Sequence, residues 1–391
     1  MKKTKPWLFI RIWLAALLLF TVFAAGYLLR AQAESRQDRL ELLSEAVEVI
    51  RTYAFAPPAE GLPFERTLIH AAVATLGDPF SVYVEPAQHE LQSDDLAGEY
   101  GGIGALLTID EAGRVILTPF EAGPAYEAGI RDGDILFALD GREIGPFPDI
   151  GDLIADLRGT EGSKITLDVV KGFTDGPPVS YELTRMRYEI PSVTSYLSPL
   201  NPAIGIIKII RFAENTPNEV QAGYNELTEA GMRGLILDLR DNGGGLLEST
   251  VALGRYFLKS GIVLTEEHAA DDEKTYRVER PGPATNIPLL IIVNGNTASA
   301  AEVLAAALRE NDRAVIIGSQ TFGKGTVQAV VELSDGSSLH ITTARWLTPD
   351  GETLDGVGLR PDYQVGGEQT NGPDPFLVLA GRILLEGAGE Q

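Results

Sequence analysis

The apolar positions of this chain change rhythm along its length, and each change predicts a different kind of element. Ile12–Leu29 is a run of eighteen residues without a charge, preceded by Lys2, Lys3, Lys5 and Arg11. About eighteen apolar residues is the shortest run that spans a bilayer as a helix. The cationic flank belongs on the cytoplasmic side, which places everything after Arg30 outside. Ala31-Gln32-Ala33 has the small-x-small form of a cleavage site, so a removed signal peptide, leaving a secreted or periplasmic protein, is the alternative. The run is longer than a typical signal core, which favours the anchor. From residue 34 to 92 the period becomes helical: Leu40, Leu43, Val47 and Ile50 recur near 3.6, and Leu68–Leu76 forms a second amphipathic stretch.

Beyond Gly98 the texture becomes glycine-rich, with short β-like runs. Val115–Thr118, Gly133–Leu139 and Lys164–Lys171 read as strands, an Asp140-Gly141 turn closes the second, and Pro124–Ala128 and Ile150–Leu157 read as short helices. After about residue 190, continuous apolar runs at 204–210, 235–239, 289–293 and 314–317 alternate with helical patterns at 217–230 and 298–309. Strands apolar on both faces are buried in parallel sheets, so this region is an α/β core. Val327–Leu333 and Ser338–Ala344 read as further strands around Asp335-Gly336, and Pro375–Glu386 as a last helix.

Composition removes several function classes. The 391 residues include no cysteine, which excludes a thiol nucleophile, thiolate metal sites and disulfides. Four histidines, none in a spaced ligand pair, make zinc chemistry improbable, and no metal or other cofactor is called for. A formal charge of -23 argues against a nucleic-acid partner.

Three segments of the α/β region carry candidate chemistry. Leu237–Gly245 runs a strand straight into Gly243-Gly244-Gly245, whose unshielded N–H groups suit an anion, although a plain tight turn would use the same residues. Asn294–Glu302 sets Ser299 at a helix start, where a serine is either an ordinary cap or a nucleophile in the field of the helix N-terminus. Gly318–Thr326 matches most of a phosphate-binding loop. Yet Gly325 stands where a magnesium-holding Ser or Thr belongs, and a strand-like segment follows where a helix is required. Lys324 fits another task, as the base a serine needs, provided burial lowers its pKa by about 3 units, roughly 4 kcal/mol. Gln328 can orient such an amine without adding charge.

Two resemblances follow from these residues. Ala125-Tyr126-Glu127-Ala128-Gly129-Ile130 with Gly133-Asp134-Ile135-Leu136 resembles the signature of a PDZ domain. Such domains hold a peptide's terminal carboxylate on the amides of a glycine-rich loop, which here is Gly102-Ile103-Gly104-Ala105. The larger pattern resembles the carboxyl-terminal processing (tail-specific) proteases of peptidase family S41. Asp78–Tyr83, Leu237–Gly245, Asn294–Glu302, Thr321–Gln328, Leu347–Gly351 and Gly358–Asp362 are similar to that family's motifs, in order. The resemblance implies Ser299 as nucleophile, Lys324 as general base and Gln328 as its positioning partner, with the amides of Gly244 and Ala300 as the oxyanion hole. Thr297, Ala301 and Gly243 depart mildly from the family pattern, and none of these departures removes a catalytic group.

The expected organisation is a membrane segment at 1–33, a helical region at 34–96, a PDZ domain at 97–188, an S41 core at 189–367 and a helical tail at 368–391. The expected partners are a protein or peptide bound by its C-terminal tail, and the membrane, with homo-oligomer formation left open. A non-catalytic PDZ adaptor and a nucleotide-binding enzyme are the rival readings.

Overall fold

The computed structural model describes residues 41–56, 62–172, 176–269, 272–365 and 373–386. The expectations for 12–29 and 31–33 lie outside the described residues, and among those described no helix is long and apolar enough to cross a membrane. The chain divides into two units, 1–72 and 73–391. The first holds the helix Glu41–Tyr53, which buries none of its residues, and most of Leu62–Ala74.

In the second unit, a six-stranded sheet runs in the order 193–198, 201–209, 234–238, 289–293, 315–318 and 363–364, parallel except for the first pair. Its alternate side chains feed two cores. Ile207, Leu235, Leu237, Ile291 and Val293 pack with Leu253 and Leu304 of the helices Leu247–Phe257 and Ala300–Glu310. Ile206, Ile236, Leu290 and Ile292 pack with Leu377, Ala380 and Leu384 of the helix Pro375–Glu386. Burial on both faces is why these strands read as unbroken apolar runs. The three candidate loops follow the C-terminal ends of adjacent strands, where open α/β sheets hold their ligands.

A second sheet joins Val82–Val84, Ser338–Leu347, Ile262–His268 and Glu273–Arg277, with Thr326–Glu332 also paired to Ser338–Leu347. It fixes both the segment just after Lys324 and, through Val82–Val84, the turn at residues 78–81. The glycine-rich region is an antiparallel sheet of 105–109, 115–119, 134–139, 164–170 and 179–184, covered by Ile150–Leu157. Leu117, Ile165 and Leu167 form its core with Leu153, and Asp149 caps the helix by accepting from the amides of Gly151 and Asp152. A two-stranded ribbon, Glu99–Gly102 with Met186–Glu189, flanks the entry to this sheet and the exit from it. The ribbon, Val82–Val84, Arg142–Glu143, Val179–Thr184, Val193–Ser198, Leu247–Phe257, Ile262–His268, Glu273–Arg277 and Tyr363–Gln364 were not anticipated from sequence. The other elements lie within a few residues of expectation.

Candidate active site

The loop after Gly234–Asp238 and the loop after Leu289–Val293 are sewn together by side chains. Asp241, at a φ of 63°, accepts from Asn294 Nδ2 at 2.8 Å and Asn296 Nδ2 at 2.9 Å, and its amide donates to Asn294 Oδ1 at 3.0 Å. Thr297 Oγ1 donates to the Leu239 carbonyl at 2.8 Å, and the Ala298 amide to the Asn242 carbonyl at 2.9 Å. The third loop joins through the Phe322 amide, which donates to the Thr297 carbonyl at 3.0 Å.

Ser299 is the N-cap of Ala300–Glu310, half-buried, at φ 53° and ψ -123°. A non-glycine residue in that region costs about 1–3 kcal/mol and persists only where its surroundings enforce it. The enforcing group is Glu302, which sequence reasoning did not single out although the Ser-x-x-Glu spacing of a capping box marks it. Its carboxylate is fully buried. Oε2 accepts from the amides of Ser299 at 2.9 Å and Lys324 at 3.0 Å. Oε1 accepts from the Gly323 amide at 2.8 Å and from the Thr321 hydroxyl. One oxygen thus holds the backbones of both predicted catalytic residues. The same carboxylate occupies the amides that a phosphate loop would offer to an anion, and Thr326–Glu332 is a strand, so the nucleotide reading loses its site.

The Lys324 side chain is half-buried, and burial pulls its amine below the ordinary lysine value while the Asp78 carboxylate opposes that shift. The amine lies 5.2 Å from the centroid of the Phe80 ring. No hydrogen bond or ion pair to the amine is found among the described residues, and it is not hydrogen-bonded to Ser299 Oγ in this conformation. Gln328 does not reach it either: Nε2 donates to Thr326 Oγ1 at 2.8 Å and to Thr342 Oγ1 at 3.3 Å. The structure therefore brings Ser299 and Lys324 together through their backbones and leaves Gln328 aside.

Of the two amides expected to form an oxyanion hole, that of Ala300 has no partner among the described residues, whereas that of Gly244 donates to Asn242 Oδ1 at 2.8 Å. Asn242, itself fully buried and donating to the Ile209 carbonyl at 2.8 Å, clamps the glycine turn. Gly244 has φ +106°, and a Cβ there would lie 2.8 Å from Ser299 Cβ and 3.1 Å from the Ala300 nitrogen. Gly244→Ala is expected to lose about 1–3 kcal/mol of stability and most turnover. Thermal melting beside an activity assay checks this, and an unimpaired variant would remove Gly244 from the site.

Near the ribbon, Ile103, Gly104, Leu107, Ile154, Leu157 and Arg158 line a cleft of about 180 Å³ between the strand Ala105–Ile109 and the helix Ile150–Leu157. Gly104 sits at φ +71°. Its carbonyl accepts from the Phe120 amide and that of Ile103 from the Ala125 amide, while the amides of Ile103 and Gly104 have no partner among the described residues. The predicted loop thus offers free donors at the end of an apolar groove. Among the described residues no group of three or more His, Asp or Glu is placed to hold a metal.

Family models and known proteins match parts of this chain. The peptidase family S41 profile matches residues 203–365, and a PDZ domain profile matches residues 115–171. The carboxy-terminal processing protease CtpA of Bacillus subtilis is 30% identical over 90% of this chain and 74% of its own length. A carboxyl-terminal-processing protease of Synechocystis is 33% identical over 76% of this chain and 70% of its own. Among solved structures, a photosystem II D1 C-terminal processing protease aligns with 31% identity and a TM-score of 0.48, covering 81% of this chain and 86% of that one.

Proposed function

Since the chain belongs to the carboxyl-terminal processing peptidases of family S41, which are serine proteases acting on protein or peptide substrates, we propose that it cleaves exported proteins near their C-termini with a Ser299–Lys324 dyad. The observation that carries the proposal is the shared Glu302 oxygen that holds the backbones of both residues. Burial that lowers the Lys324 pKa, with no carboxylate bonded to the amine, supports its role as base.

In this reading the neutral Lys324 amine takes the proton of Ser299 Oγ as the oxygen attacks the scissile carbonyl. The developing oxyanion meets the Ala300 amide in the positive field of the helix N-terminus. Gly244 becomes a second donor once its amide leaves Asn242, and Gln328 becomes the amine's partner once it turns from Thr326 and Thr342. The ammonium then protonates the leaving amine, and water hydrolyses the acyl-enzyme.

The free amides at Ile103 and Gly104 and the apolar cleft beside them support capture of a substrate's terminal carboxylate. The N-terminal apolar run supports a single-pass anchor that keeps the catalytic part outside the cytoplasm. The domain limits at 97–188 and 189–367 belong to the same proposal.

The test compares cleavage of a protein ending in an apolar tail by the full chain and by Lys324→Ala, with the tail carboxylate either free or amidated. The variant is expected to be inactive, and amidation to slow the parent at least about tenfold, the loss of about 1.4 kcal/mol of carboxylate hydrogen bonding. An active Lys324→Ala overturns the dyad, and equal rates on both tails overturn tail capture.

A further inference from the structure

The turn at residues 78–81 lies far from the catalytic motifs in sequence and close to Lys324 in space. Its shape is set locally. Asp78 Oδ1 accepts from the Phe80 amide at 3.0 Å and Oδ2 from the Ser81 hydroxyl at 2.6 Å. Ser81 Oγ in turn accepts from the Thr342 amide at 3.1 Å, and Val82–Val84 pairs with the strand Ser338–Leu347 that also carries Thr326–Glu332. One strand therefore fixes both the turn and the segment after Lys324. The outcome is the Phe80 ring 5.2 Å from the Lys324 amine. The face of an aromatic ring attracts a cation and has nothing to offer a neutral amine as base.

We propose that Phe80 and Asp78 are positioning residues of the base, holding the Lys324 ammonium apart from Ser299 and setting the pH at which it becomes able to accept a proton. The proposal rests on reading Lys324 as the general base. Asp78 stays ionised, because hydrogen bonds from Ser81, Thr342 and the backbone outweigh the effect of its burial and bring its pKa below the usual value. Its carboxylate and the ring both favour the charged amine, while burial opposes them.

The other ionisable groups around the lysine are accounted for. His340, on the strand behind, has its pKa lowered by burial, then by His89 and Lys324, and so stays neutral above the weakly acid range. His89, on Pro86–Ala97, meets His340 ring to ring at 6.5 Å. Glu302 and Asp355 are engaged by the backbone amides of Lys324 at 3.0 Å and Gly325 at 3.3 Å. Arg345 turns its guanidinium outward to Glu267, 3.9 Å away. Asp78 is thus the carboxylate that acts on the amine, and Phe80 the ring that meets it.

The experiment measures kcat/KM against pH for the full chain, Asp78→Asn and Phe80→Leu. In parallel, the Lys324 amine is titrated by NMR of protein carrying 13C at the lysine ε-carbon, its signal assigned from Lys324→Arg. Both substitutions remove the attraction for a cation, Asp78→Asn at constant size and Phe80→Leu with a smaller apolar side chain. Each is expected to move the acid limb and the Lys324 titration to lower pH, by about half to one unit for Phe80→Leu and in the same direction for Asp78→Asn. Turnover below the limb should rise about three- to tenfold. A variant that only loosened the site would lose rate at every pH and leave the limb in place. An unmoved limb and an unmoved titration in both variants, beside an inactive Lys324→Ala, overturn this inference alone. Activity surviving in Lys324→Ala overturns it together with the dyad.

Discussion

Ser299→Ala is expected to reduce cleavage about ten-thousand-fold or more, the scale on which removing a serine nucleophile stops turnover. The fold should survive. The strained backbone at this position is held by the amide's bond to Glu302 at 2.9 Å, which alanine keeps. Losing an N-cap hydroxyl costs about 1 kcal/mol, a shift of only a few degrees in melting temperature. The cleft beside Ile103 and Gly104, the proposed tail site, lies in a different sheet, so a peptide ending in an apolar residue should bind with unchanged affinity. The variant is therefore also the means of separating capture from cleavage: peptide binding by calorimetry and product formation by mass spectrometry are measured on the same preparation. Cleavage at the parent rate would refute Ser299 as the nucleophile. Loss of tail binding together with activity would mean that groove and dyad are not separable functions.

What could be read from sequence here follows how locally each feature is determined. The buried parallel strands announced themselves because both faces are covered, by Leu253 and Leu304 on one side and by Leu377 and Leu384 on the other. The helix Ile150–Leu157 was legible to the residue, since Asp149 caps it and its apolar face has a helical period. Val82–Val84 was not: three residues carry no period, and the pairing that makes them a strand comes from residues 338–340. Ser299 and Lys324 were legible as motifs. Their neighbours were less so, because the choice of one hydrogen-bond partner over another is tertiary. Gln328 lies two residues from Thr326 and directly across the strand pair from Thr342, and both hydroxyls accept from its Nε2, while the Gly244 amide faces the Asn242 side chain two residues before it. Phe80 and Asp78 come to Lys324 only through the strand that binds both segments, so no local pattern could have placed them there.

Glu302 is the group on which the proposed site depends most for its shape, and the expected behaviour of Glu302→Gln follows from counting donors. Each carboxylate oxygen accepts two hydrogen bonds: Oε1 from the Gly323 amide at 2.8 Å and the Thr321 hydroxyl, Oε2 from the amides of Ser299 at 2.9 Å and Lys324 at 3.0 Å. A glutamine of the same size has one oxygen and one NH2. Whichever way its amide turns, the NH2 confronts two donors in a site with no water-accessible surface. Thr321 Oγ1 can partly adapt, since it also accepts from the Leu359 amide at 2.7 Å and a hydroxyl both gives and takes. Backbone amides cannot. The amide is therefore expected to settle with its NH2 toward Thr321 and Gly323, keeping Ser299 and Lys324 bonded to its oxygen. Even so, one buried amide is left without an acceptor and one charge-assisted set is weakened, for a loss of about 2–4 kcal/mol and on the order of ten degrees in melting temperature. Glu302→Ala, which releases all four donors, should lose about 3–5 kcal/mol and let the Ser299 backbone relax from its positive φ. Turnover in Glu302→Gln should fall mainly in kcat, because the residue holds the backbones of the two proposed catalytic residues and does not line the cleft beside Ile103 and Gly104. Melting curves and steady-state kinetics of the two variants check the ordering. A glutamine variant as stable and as active as the parent would show that the carboxylate is not what brings Ser299 and Lys324 together.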